Sequence, residues 1–323
     1  MAEVARSTML LSKQLLDPTQ SNAALLKLLA KGEKSVPVLV EFLRTSRIST
    51  VPEGRLLAAE GLSILKGPGA RDALIEVATR QLTAIADPAV RLAEESVVSA
   101  ASRALADFDE PRVREVLLGL LEAKPLVGVA EAFEKLKDER AIPGLIAWLG
   151  DDFVAEAAAR ALVAIGRPAI PFLQNSLNEK CIRYGSETGM SARRRARVLE
   201  VLDSVAEPDE LDSLEALLFD NVEAVRWNTV RILVRCGART KRKRAFQFAL
   251  SFLDSADSKI RYECEELLRS NYQVGPDLIE EEIRTRRDKG ESDRPRTARE
   301  SALEILLRIR RQSRPDAPSG ESR

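Results

Sequence analysis

Basic residues gather twice in this chain, at Arg193, Arg194, Arg195 and Arg197 and again at Arg239, Lys241, Arg242, Lys243 and Arg244, the second group leading into Phe246, Phe248 and Phe252. Clustered cations beside aromatics suit surfaces that hold phosphate backbones or acidic protein segments, so both clusters are candidate binding elements. Positive charge at a helix N-terminus opposes the macrodipole and gains nothing locally, which points to an external acidic surface; solvated loop charge is the plain alternative. The phenylalanines, at i, i+2 and i+6, lead into a buried helix and read as core rather than as a base-stacking platform. Tyr184, with Gly185 and Met190 in the stretch 178–191, is a further candidate, because functional residues concentrate on loop excursions, although an ordinary connector fits the stretch as well.

Other chemistry is thin. The chain has no histidine, which removes Ser-His-Asp and Cys-His nucleophile systems and His-based zinc sites. Cys181, Cys236 and Cys264 are far apart, form no CxxC pair and read as reduced thiols of a cytoplasmic protein. Glu280, Glu281 and Glu282 read as a solvated helix face rather than a cation cage. Gly67-Pro68-Gly69 punctuates a loop, since neither GxGxxG nor a GK[ST] ending follows. The expectation is therefore a protein that is not an enzyme, with no cofactor and no metal. Lys+Arg and Asp+Glu balance at 50 each, which disfavours wholesale wrapping of nucleic acid. No apolar run is long enough for a secretion signal or a bilayer span, so no membrane insertion is expected.

The elements that must position these residues are repeats. Residues 94–111 (EESVVSAASRALADFDEP) lie without a gap on 151–168 (DDFVAEAAARALVAIGRP), sharing Arg-Ala-Leu at 103–105 and 160–162. One apolar pair deep in the second helix of each unit tracks the repeat: Gly61-Leu62, Ala104-Leu105, Ala132-Phe133, Ala161-Leu162, Val201-Leu202, Ile232-Leu233, Leu267-Leu268 and Ile305-Leu306. The steps between them, 43, 28, 29, 40, 31, 35 and 38 residues, signify loop insertions between equivalent helix pairs rather than different folds.

The carrying segments 138–146 (DERAIPGLI), 161–171 (ALVAIGRPAIP) and 220–226 (DNVEAVR) resemble the HEAT-repeat superfamily, and the shorter units its bacterial variant found in phycobilin lyases. The resemblance covers roughly residues 35–310, is specific for fold and nearly silent on activity, because the matching positions are packing positions. It implies a structural ladder between repeats of Asp220 with Arg226, Asp257 with Arg261, and Asp293 with Arg299, interrupted at Val98 and Ala155. The absence of histidine also removes the iron site that deoxyhypusine hydroxylase builds on this fold. DNA glycosylases of HEAT-like fold keep a nucleic-acid reading open, but no catalytic Asp with a flanking Trp can be placed here.

In 223–236, Val225, Thr229, Ile232, Leu233 and Cys236 form one apolar stripe and Trp227, Val230 and Val234 a second, leaving Asn228, Arg231 and Arg235 on an open strip that should face solvent. Projecting Arg231 onto the other repeats gives Glu60, Arg103, Glu131, Arg160, Glu200, Arg231, Glu266 and Glu304, a row of largely alternating sign. Such a row is either self-neutralising or a groove for a partner of complementary order.

The expected architecture is all-α: a single right-handed α-solenoid over 1–312 of about eight to nine HEAT-like helix pairs, with a capping pair within 1–50 and a disordered polar tail at 313–323. The expected function is that of a cytoplasmic, bacterial scaffold or adaptor holding a protein partner along its inner helical surface. Its candidate contacts are Arg193, Arg197, Arg231, Arg235, Lys241, Arg242, Lys243, Arg244 and Tyr184. The alternatives are a nucleic-acid-binding protein using 193–197 and 239–244, and, from the repeat subtype alone, a bilin lyase-like chaperone.

Overall fold

A computed structural model describes residues 10, 11, 13–291 and 301–313. Among these the regular structure is helical apart from one two-stranded hairpin. Among the described residues no helix is long and apolar enough to cross a membrane. The chain divides into two compact units, Met1–Val201 and Leu202–Arg323.

In the first unit the helices are α1 (Ser21–Ala30), α2 (Val36–Thr45), α3 (Glu53–Leu65), α4 (Ala70–Ala78), α5 (Pro88–Leu105), α6 (Pro111–Ala123), α7 (Val127–Leu136), α8 (Ile142–Trp148), α9 (Ala155–Ile165) and α10 (Ile170–Ser176). They alternate between two layers: α1, α3, α5, α7 and α9 pack successively on one another, while α2 meets α4 and α8 meets both α6 and α10. Small side chains allow this stacking. In α9 the residues Ala155, Ala157, Ala158, Ala161 and Leu162 are buried, and at Gly128 a Cβ would fall 1.8 Å from the Ser99 carbonyl oxygen. The backbones of α5 and α7 thus approach as only glycine permits, and the Gly128 amide donates to Ser99 Oγ at 2.8 Å. Helix starts follow the sequence rules: proline occupies the first turn of α2, α5, α6, α8 and α10, and Asp87 caps α5 by accepting from Ala89 and Val90 amides.

The stretch 178–191 is not a plain connector. It carries β1 (Ile182–Arg183) and β2 (Ser186–Glu187), paired antiparallel, and leads into α11 (Gly189–Val205). In the second unit a 3₁₀ segment (Pro208–Phe219) precedes α12 (Glu223–Cys236), α13 (Arg239–Ser251), α14 (Ser258–Ser270), α15 (Pro276–Asp288) and α16 (Ala302–Ser313). Its core gathers Trp227, Phe246, Phe252, Cys264 and Leu303, with the Trp227 and Phe252 rings 5.2 Å apart. Phe246 and Phe252 are core, as their spacing predicts.

Two expectations are corrected. The basic run 239–244 is not a loop, as the reading of solvated loop charge would have it: it forms the first turns of α13, and Arg242, Lys243 and Arg244 find acceptors on other elements. Asn228 is buried rather than on an open strip. Asp293, Arg299 and the tail from 314 lie outside the described residues.

Candidate functional site

The first unit carries an open groove of about 680 Å³. One face of α5 supplies its wall, with Leu92, Ser96, Ser99 and Arg103 at successive four- and three-residue steps and Glu95 beside them. Leu56 of α3 faces it, Lys124 to Leu126 ahead of α7 and Val127 at its start close one end, and Asp151 and Phe153 rise from the loop before α9. Phe153 is 90% exposed and Leu92 67%, an unusual presentation of apolar surface beside charge.

Paired charges line the rim. Lys124 meets Glu95, and Glu131 lies between Arg103 at 3.6 Å and Arg160 at 3.7 Å. Three members of the alternating row expected from sequence join here as an Arg103–Glu131–Arg160 chain, whereas Arg231 pairs with Glu263 and Glu266 with Arg269, both partners outside the row. Lys124 and Arg103 are more than half solvated and Arg160 nearly so, so each pair contributes only about 0–1 kcal/mol and opens easily for a competing carboxylate. An apolar floor with exchangeable cations on its rim suits an amphipathic organic anion.

Beneath the α3–α5 contact lies a cluster that sequence reasoning missed. Buried Arg55 donates Nη1 to Glu94 Oε2 at 2.8 Å, and Arg80 donates to Glu94 Oε1 at 2.7 Å, with Glu94 itself buried. Burial holds the Arg55 guanidinium below its ordinary range, against the attraction of Glu94. A second linkage joins neighbouring pairs at Asp138, which accepts from Arg140 at 2.7 Å and from Arg114 at 3.3 Å. The Arg140 hydrogen bond, chiefly, draws the Asp138 carboxyl down to about 2.

The arginines at 193–197 serve the groove's rim and the hairpin. Arg197 donates Nη1 to the Leu149 carbonyl at 2.9 Å and Nη2 to Asp152 at 3.1 Å, and Arg193 reaches the same Asp152 oxygen at 3.3 Å. Arg194 contacts the Glu179 carbonyl. Met190 packs so close to Gly150 that a Cβ there would lie 2.7 Å from it. The 149–153 loop that carries Phe153 is therefore bolted to the start of α11. Arg195 is wholly buried, donating to the Leu177 carbonyl and to Glu187, each at 2.8 Å. Tyr184 stands at the hairpin tip, fully exposed.

The remaining candidates belong to the second unit and are partnered within it. Arg231 contacts Glu263 at 3.9 Å and Asn228 at 3.4 Å, while Glu263 also accepts from the Trp227 indole at 2.9 Å. Arg235 pairs with Asp203, Arg242 donates to Asn271 at 3.0 Å, Lys243 to Asp277 at 2.7 Å, and Arg244 to Glu215 at 2.7 Å. Lys241 also interacts within the chain. Arg244 additionally lies 5.4 Å over the Phe219 ring. At the expected ladder, Arg226 donates to the Asp220 carbonyl at 2.7 Å and Arg261 to the Ser255 carbonyl at 2.6 Å, while Asp220 and Asp257 accept from the Val222 and Lys259 amides. Each arginine thus ties down the turn before its own helix.

The fold and site define an all-helical protein of stacked helix pairs carrying an amphipathic groove. No family model matches the chain. It is similar to "Bilin biosynthesis protein RpcF" of Synechococcus sp. (strain WH8020), 34% identical over 135 residues. That alignment covers 39% of this chain and 60% of the relative, so the chain spans less than two thirds of the protein it matches. The expectation of a protein that is not an enzyme is corrected by this finding, because the relative takes part in a biosynthesis. The absence of a histidine-based constellation excludes particular mechanisms and does not exclude enzymatic work.

Proposed function

We propose that the protein handles a bilin, holding the open-chain tetrapyrrole in the groove of the first unit for transfer to or from a protein partner. The similarity to a bilin biosynthesis protein carries this reading, and the groove's chemistry supports it. A bilin is a long apolar chromophore with propionate side chains and pyrrole N–H donors. Leu56, Leu92 and Phe153 offer apolar contact to its rings, Arg103 and Lys124 offer exchangeable cations to its propionates, and Glu95 and Glu131, released from those pairs, offer acceptors to its N–H groups. The volume of about 680 Å³ lies inside the roughly 300–1,000 Å³ range of small-molecule sites. In the same reading the stacked pairs are turns of a right-handed HEAT-like solenoid, and the protein partner is the bilin's acceptor or donor.

Biliverdin is a suitable probe, followed by its absorbance as the purified protein is titrated. Saturable binding is expected, weakened at least about tenfold by Arg103→Glu with Lys124→Glu, which removes about 1.4 kcal/mol or more. Leu92→Asp should weaken it similarly. Absence of binding, or equal affinity in all three proteins, removes the reading.

A further inference from the structure

We infer that the hairpin at 182–187 is a docking plug, whose tip residues Tyr184 and Arg183 enter an apolar, acid-rimmed socket on the surface of a protein partner. Docking through the hairpin is independent of what the groove holds.

The two strands are joined by a turn with Tyr184 at φ 52° and Gly185 at φ 80°, the positive pair of a type I′ connection. Its first central position favours Asn, Asp or Gly, because a bulky side chain is disfavoured at positive φ. An aromatic there is locally unfavourable, and nothing among the described residues compensates, since the Tyr184 side chain stands wholly in solvent. The base, by contrast, is built for rigidity. Arg195, fully buried, holds Glu187 and the Leu177 carbonyl. Ser191 Oγ donates to Glu187 at 2.7 Å and accepts from the Cys181 amide at 3.1 Å, and the Thr188 amide donates to the Cys181 carbonyl at 2.9 Å. A rigid stalk presenting an aromatic that its own fold does not use points outward, to a second molecule.

The chemistry of the tip selects the occupant. Tyrosine and arginine are the residue types that dominate protein interface energetics, and Arg183, exposed beside Tyr184, has no ion pair among the described residues, so the socket should be acid-rimmed. Strands of two residues give an added strand too few backbone hydrogen bonds to hold it, which argues against edge pairing. The tip is convex, with open space at Gly185, which argues against a small molecule, and Tyr184, Arg183 and the exposed Ile182 together make only a weak membrane anchor.

The test places p-benzoylphenylalanine at position 184 in the source cell, with the exposed Tyr262 position as control, and then titrates the purified captured protein. Expected is one dominant protein adduct specific to position 184, whose affinity falls at least about tenfold in Tyr184→Asn and in Arg183→Glu and is nearly kept in Tyr184→Trp. Tyr184→Asn, which accepts positive φ readily, should meanwhile raise the melting temperature by roughly 1–3 °C, separating lost docking from lost folding. The inference is overturned by the same adducts from positions 184 and 262, by no adduct, by a second copy of this chain as the adduct, by unchanged affinity in both variants, or by Tyr184-dependent flotation on phosphatidylcholine–phosphatidylglycerol vesicles.

Discussion

The arginine runs at 193–197 and 239–244 look alike in sequence and do opposite things in structure. In the first, the side chains turn inward and sideways: Arg195 is fully buried against Glu187, and Arg197 reaches a backbone carbonyl of the loop that edges the groove. In the second, Lys243 and Arg244 stay on the surface of α13, each more than half-solvated or nearly so and each answered by one carboxylate. A basic run is therefore not a property in itself. What decides its role is whether the fold brings acceptors that can be satisfied only from inside.

Substitutions along the two runs should separate them by size of effect, beginning with Arg195→Met. That change leaves Glu187 and the Leu177 carbonyl without their principal donor in a dry site, and breaking a buried pair from one side costs about 3–5 kcal/mol. Chemical denaturation should show it, together with faster proteolysis of the hairpin. A loss under about 1 kcal/mol would mean that the hairpin base is not what holds this region.

Asp138, between Arg114 and Arg140, is the intermediate case. Its carboxyl sits at about 2 against an ordinary 3.8, so the folded state prefers it ionised. Its contribution, about 2 kcal/mol, is present above about pH 4 and is lost as pH falls through about 2. Stability measured against pH should fall less steeply between about 4 and 2 in Asp138→Asn than in the wild type. Parallel curves would show that the pairing adds nothing in water.

How far this was legible beforehand depends on the distance between partners. The helix pairs were readable because every repeat carries its own stripe, and the row Arg103–Glu131–Arg160 followed from helical projection because its members recur at equivalent positions. The burial of Arg195 was not readable, because its acceptor Glu187 is brought alongside only when the chain folds back through a two-stranded hairpin that an all-helical expectation did not contain. Nor was the groove: Leu92, Lys124 and Phe153 lie in three different elements, and neither Lys124 nor Phe153 is unusual in its local pattern. Exposed leucine at position 92 on a polar face was the single available signal.

Asp152→Ala should have a smaller effect, about 1 kcal/mol or less, since its partners Arg193 and Arg197 are partly solvated and Arg197 keeps the Leu149 carbonyl. Its mark should be local: faster hydrogen exchange at 150–154 and weaker binding of the groove's ligand, with unchanged exchange in α12 and α13. Uniform acceleration across both units would show that the bolt is global rather than a support for Phe153.

The smallest effect is expected at Lys243→Gln with Arg244→Gln, and it is the sharpest test of the contrast. Lys243 donates to Asp277 and holds that carboxyl below its ordinary range, so the contact is real. Both partners are nevertheless exposed, and water replaces each of them at little loss. Arg244 retains more through its position over Phe219, where the planar cation covers an aromatic face that glutamine would leave open. The paired change should shift the melting temperature by no more than about 2–3 °C, most of it from position 244, and raising salt toward about 1 M should shrink the contribution of position 243 while leaving the stacking contribution in place. A large, salt-independent loss from Lys243→Gln alone would place that lysine in the same structural class as Arg195, and the distinction between the two basic runs would fail.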